Sequence, residues 1–72
     1  MTTLERAEIR VKKLQARNVR LALRQKLTPA KRDELGEAYD IRNALYATAN
    51  DTTIDAAKHH YALALIAEEN NG

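Results

Sequence analysis

Pro29 and the turn cluster Asn50-Asp51-Thr52-Thr53 are the two strong helix breaks in this chain, and they leave little freedom in how it can fold. Glycine occurs only at positions 36 and 72, and most residues between the breaks are good helix formers. Leu27-Thr28-Pro29 ends one helix and begins the next. Thr28 serves as N-cap, and proline at the first helical position gives up only a donor that would be unpaired anyway. Thr2-Thr3-Leu4-Glu5 fits a capping box with Glu5 reaching back to Thr2. Thr52 or Thr53 caps a third segment. The pattern predicts helices over about 3–25, 29–48 and 54–69. Gly36 inside the second helix costs about 1 kcal/mol relative to alanine and marks the place for a kink or break. Three helices with short connections imply an all-α protein, a compact antiparallel bundle of about three helices forming a single domain over 1–72.

The apolar residues are light. There is no Phe or Trp, and thirteen of the 72 residues are alanine, so the core of a lone chain would be shallow. Oligomerisation or partner binding would supply the missing burial, and the oligomeric state is left open. Helix 1 has a heptad seam of Leu4, Ala7, Val11, Leu14, Asn18, Leu21 and Gln25. A weaker stripe of Ile9, Ala16, Val19 and Leu23 lies roughly opposite. Asn18 in that seam either fixes the register of a coiled-coil dimer or marks where the seam reaches the bundle's edge; the edge is the expectation. Helix 2 offers Leu35, Ala38, Tyr39, Ile41, Leu45, Tyr46 and Ala49 as its apolar face. In helix 3, residues 61–67 are apolar on every side. Such a helix is normally buried, so this run is expected between the other two helices or at an interface.

Charge carries the functional signal. Arg6, Arg10, Lys13, Arg17, Arg20 and Arg24 recur at spacings of four, three, four, three and four. On a helix they fall within a band about 80° wide, between the two apolar stripes. Residues 1–32 hold ten Lys/Arg against two acids, a net of +8, whereas 33–72 hold two against eight, a net of −6. So uneven a distribution points to an interaction surface. Asp33, Glu37 and Asp40 form an acidic stripe on helix 2 that could pair with the band. That stripe is expected to face solvent, and three acids cannot neutralise six cations.

Several chemistries have little to stand on. Without cysteine there are no disulfides and no thiolate chemistry, which fits a reducing cytoplasm. Without serine there is no serine nucleophile, and there is no Gly-rich phosphate loop. His59 and His60 diverge by about 100° on a helix, so they do not chelate one ion together, and Asp55 and His59 read as an ordinary i,i+4 pair. No cofactor or metal is expected, nor enzymatic activity. No apolar run is long enough for a membrane span.

Two function classes remain. The first is a regulatory module that binds a larger protein machine, using Arg6, Arg10, Lys13, Arg17, Arg20 and Arg24 with Ile9, Ala16 and Leu23 beside them. The second is a nucleic-acid binder that lays the Arg-rich helix along DNA or RNA phosphates. Against the second, the helix opened by Thr28-Pro29 is acidic through Asp33, Glu34, Glu37 and Asp40, which a recognition helix should not be. No aromatic residue interleaves the basic positions for base stacking either.

A cysteine-free helical chain of this length, with a basic amphipathic segment from Arg6 to Arg24 and an Ala-rich acidic half, resembles the small transcription regulators made by bacteriophages, including the Xanthomonas phage type. The resemblance implies binding to host bacterial RNA polymerase in the host cytoplasm, with inhibition of initiation or antitermination as the outcome. It implies no individual site residue.

Overall fold

A computed structural model describes residues 1–71. The chain is all-α, a bundle of three helices: α1 (Thr3–Leu23), α2 (Pro29–Ala49) and α3 (Ile54–Asn71). Each start has a hydroxyl cap. Thr2 Oγ1 accepts from the Glu5 amide at 3.1 Å while the Thr2 amide donates to Glu5 Oε1 at 3.2 Å, a complete capping box. Thr28 Oγ1 accepts from the Lys31 amide at 3.3 Å with Pro29 at the first helical position, and Thr53 Oγ1 accepts from the Ala56 amide at 3.1 Å.

The first helix stops two residues before the expected Gln25. Gln25 turns left-handed (φ 56°), its amide donates to the Ala22 carbonyl at 3.0 Å, and the Lys26 amide donates to the Leu21 carbonyl at 2.8 Å. This is a Schellman closure, and it recurs after α2. There Asp51 (φ 51°) and Thr52 donate to the carbonyls of Thr48 and Ala47. Glycine usually occupies the left-handed position; Asp51 is tolerated there and belongs to the turn cluster, whereas nothing about Gln25 announces the first turn. Gly36 makes no break: α2 runs through it, and a Cβ there would meet nothing within 4 Å.

The core is small. Val11, Ala38, Ala47 and Ala57 are its buried apolar residues, joined by two buried amides, Asn18 and Asn43. Both α1 and α3 pack on α2, but no Cα of α1 comes within 8 Å of one in α3. The bundle is therefore open on one side.

Three expectations change. Asn18 is not at the bundle's edge. It is 7% exposed, and its Nδ2 donates across to the Lys31 carbonyl in the first turn of α2 at 3.2 Å. On α2 the buried positions are Ala38, Asn43 and Ala47, while Ile41 and Ala49 of the expected apolar face are exposed. The helix is gripped from two sides, by α1 and by α3, so a single-face reading displaces its contacts. The third removes one of two alternatives. In the 61–67 run only Tyr61 is partly covered, and Leu63, Leu65 and Ile66 each keep about half their surface in solvent, near 53% for Leu65. The run does not sit between the other helices.

Candidate docking surface on the first helix

The seam of α1 faces α2, and that orientation decides where its other residues point. Arg6, Arg10, Lys13, Arg20 and Arg24 are exposed, and none has a carboxylate within ion-pair distance among the described residues. Arg17 departs from the expected band. Its Nη1 bonds Glu34 Oε1 at 2.5 Å, its Nε and Nη2 donate to Asn18 Oδ1 at 3.1 and 3.0 Å, and Nη2 also reaches the Lys31 carbonyl at 3.4 Å. The guanidinium is thereby used to tie α1 to the start of α2. The acid it finds is Glu34 rather than Asp33, Glu37 or Asp40, which all stay exposed. Glu34 lies one residue off that stripe, on the side of α2 turned toward α1.

The Arg17 hydrogen bond, followed by its positive charge, holds the Glu34 carboxyl below the ordinary glutamate range. Partial burial opposes the shift, and Arg10 and Lys31 add to it. A depressed folded-state pKa stabilises the fold at pH values above the unfolded one, and that contribution disappears as pH falls through the folded value. Wild-type protein should therefore lose more stability than Glu34→Gln between about pH 6 and about pH 3. Urea-unfolding midpoints across that range check this, and parallel curves would show that the pair contributes nothing.

Beside the free cations runs an exposed apolar stripe. Leu23 is 82% exposed and Val19 59%, with Ala16 and Ile9 continuing the line. Met1, Arg6, Ile9, Arg10, Lys13 and Leu14 border an open depression of about 520 Å³. The α1 surface thus combines cations with apolar contacts along one side of a rigid helix. Val19 belongs to this surface although the expected site named only Ile9, Ala16 and Leu23. Its place is read from the same helical period as theirs.

Adjoining this apolar stripe, with Ile9 on its rim, an open groove of about 600 Å³ runs between α1 and α3. Arg42 lies at its floor with its guanidinium 3.8 Å from the Tyr61 ring centre and 5.0 Å from that of Tyr39, a double cation–π contact. Its Nε and Nη2 donate to Asn43 Oδ1, repeating the Arg17–Asn18 arrangement. Burial pushes the Arg42 guanidinium down from its ordinary value, which still leaves it charged. Tyr61 donates to Glu8 Oε2 at 2.8 Å, and burial together with that bond pushes its hydroxyl well above the usual range. His60 stacks on Tyr46 with ring centres 4.4 Å apart, and its neighbour His59 is exposed to solvent. Sequence reading missed this cluster: Tyr39 and Arg42 are one turn apart on α2, but only the packing of α3 brings Tyr61 over the guanidinium.

Among the described residues no group of three or more His, Cys, Asp or Glu is arranged to hold a metal, and no helix is long and apolar enough to cross a membrane. No family model, curated protein or solved structure matches this chain.

Proposed function

We propose that this is a non-enzymatic regulatory protein that docks through the outer side of α1 onto an acidic surface of a larger assembly. One observation carries the reading: five cations of the band stand free in solvent beside an exposed apolar stripe of Ile9, Ala16, Val19 and Leu23. Free cations steer and orient an encounter, while apolar side chains next to them provide contact area whose burial holds the complex. Arginine suits the role because its planar fork binds carboxylates bidentately. The likeness to phage transcription regulators directs the partner choice to bacterial RNA polymerase. The protein would then act in the host cytoplasm as a phage product that inhibits or reprograms host transcription.

Nucleic acid is the second reading. From Arg6 to Arg24 the free cations extend over about 27 Å of helix, enough to follow a phosphate track. The exposed acids Asp33, Glu37 and Asp40 on the neighbouring helix weigh against it.

Pull-down with tagged protein from bacterial lysate, with and without nuclease, separates the two. Recovery of polymerase subunits that survives nuclease supports the first reading; retention of nucleic acid alone, falling steeply with salt, supports the second. Reversing Arg10, Lys13 and Arg20 to glutamate together is expected to weaken polymerase binding roughly 100-fold. Arg17 is left in place because its ion pair supports the fold. Unchanged binding by a folded triple variant would show that the band is only a solvated face.

A further inference from the structure

The chain leaves more surface exposed than a chain of this size normally does. The accessible surface is 5452 Å². A folded monomer of 8.1 kDa exposes about 4,500 Å² by the usual mass scaling. The excess of roughly 950 Å² is comparable with the ~800 Å² that each partner buries in a stable specific interface.

The side of α3 that borders the groove has a pattern that identifies the occupant. Lys58, Ala62, Leu65 and Glu69 follow one another at spacings of four, three and four, so they share one stripe, and all four are exposed. Lys58, Ala62 and Leu65 line the groove between α1 and α3. Neither Lys58 nor Glu69 has an ion-pair partner among the described residues. The order cation, small, large, anion is complementary to its own reverse. When two such stripes run antiparallel about a twofold axis, Lys58 of each copy meets Glu69 of the other, and Ala62 of each meets Leu65 of the other. Small against large lets the helices approach closely, and each charge finds its opposite.

We infer that the protein forms a twofold dimer in which the Lys58–Ala62–Leu65–Glu69 stripe of α3 packs antiparallel on the same stripe of a second copy, closing the groove between α1 and α3. A closed twofold contact uses one surface twice, so a self-complementary stripe is what it requires. Contact along this stripe also brings the neighbouring Ile66 toward the partner, while Leu63 lies on another side of α3. Of the α1 docking surface only Ile9 also lines this groove; Arg10, Lys13 and Arg20 do not, so reversing those three and replacing Leu65 test the two readings separately.

Sedimentation equilibrium of the full chain across micromolar concentrations provides the test, with no host partner present. Wild type is expected to sediment at twice the chain mass. Leu65→Glu is expected to sediment as a single chain with an unchanged helical circular-dichroism spectrum, since the position is exposed in the monomer. The charge pair gives a second, independent readout. Lys58→Glu alone and Glu69→Lys alone should each weaken self-association about tenfold, and the two together should restore it. A wild type that stays at single-chain mass overturns the inference. So does a dimer indifferent to Leu65→Glu or to the charge reversals, because its interface would then lie elsewhere.

Discussion

Replacing Ala57 with leucine is expected to release α3 from α2 and to cost about 3 kcal/mol of folding stability. Ala57 is completely buried, the only α3 residue that is, and Tyr61 one turn later is only partly covered. These two positions are where α3 is most tightly held. Three added carbons at the first of them cannot be accommodated without moving the helices apart, and a separation there also draws Tyr61 away from Glu8 and Arg42. A chain of 72 residues has a stability of only ~4–10 kcal/mol, so the loss is a large fraction of the whole. Urea unfolding gives the magnitude, and amide hydrogen exchange gives the location. Protection should fall across α3 while the centres of α1 and α2 retain theirs, because the larger contact, between α1 and α2, does not involve Ala57. An Ala57→Leu variant as stable as wild type would mean that α3 docks differently.

The second large effect is expected at Asn18. Asn18→Leu keeps the side chain's approximate volume but removes the donor to the Lys31 carbonyl and the acceptor of two Arg17 bonds. Part of the Arg17 guanidinium then loses its partner beside a buried position, and the expected cost is about 2 kcal/mol. The effect should be coupled to Arg17. In a double-mutant cycle with Arg17→Met, the combined loss should fall short of the sum of the two single losses, since both variants break one network. Additive losses would show that Asn18 contributes through packing alone. A gain in stability from Asn18→Leu would mean that an apolar residue suits the α1–α2 contact better than the amide does.

The helices of this protein were legible because their signals are local. Thr2 with Glu5, Thr28 with Pro29 and the 50–53 turn act within one helical turn, and the caps in the structure use those residues. The end of α1 was less legible, because the left-handed residue is Gln25 and not glycine. The cationic band was also visible, since a period of 3.6 residues places Arg6, Arg10, Lys13, Arg20 and Arg24 on one side whatever lies nearby. Arg17 has the same period and a different fate. Its partner Glu34 is seventeen residues away, and only the crossing of α1 and α2 brings them together. The seam spacing placed Asn18 on the packed face of α1, but only the crossing supplies the Lys31 carbonyl that its amide bonds.

Three helices, their caps and a charged outer side on α1 all follow from interactions between residues a few positions apart, so the order of amino acids was enough to locate them. Helix packing alone settles which polar groups are spent inside the fold and which apolar groups are left outside it. Arg17, Asn18, Arg42 and Asn43 are drawn into contacts of or beside the core, while Leu63, Leu65 and Ile66 remain in solvent. The physical reason is geometric: α2 carries α1 on one side and α3 on another, and two helices held that far apart by a third cannot cover each other's apolar faces.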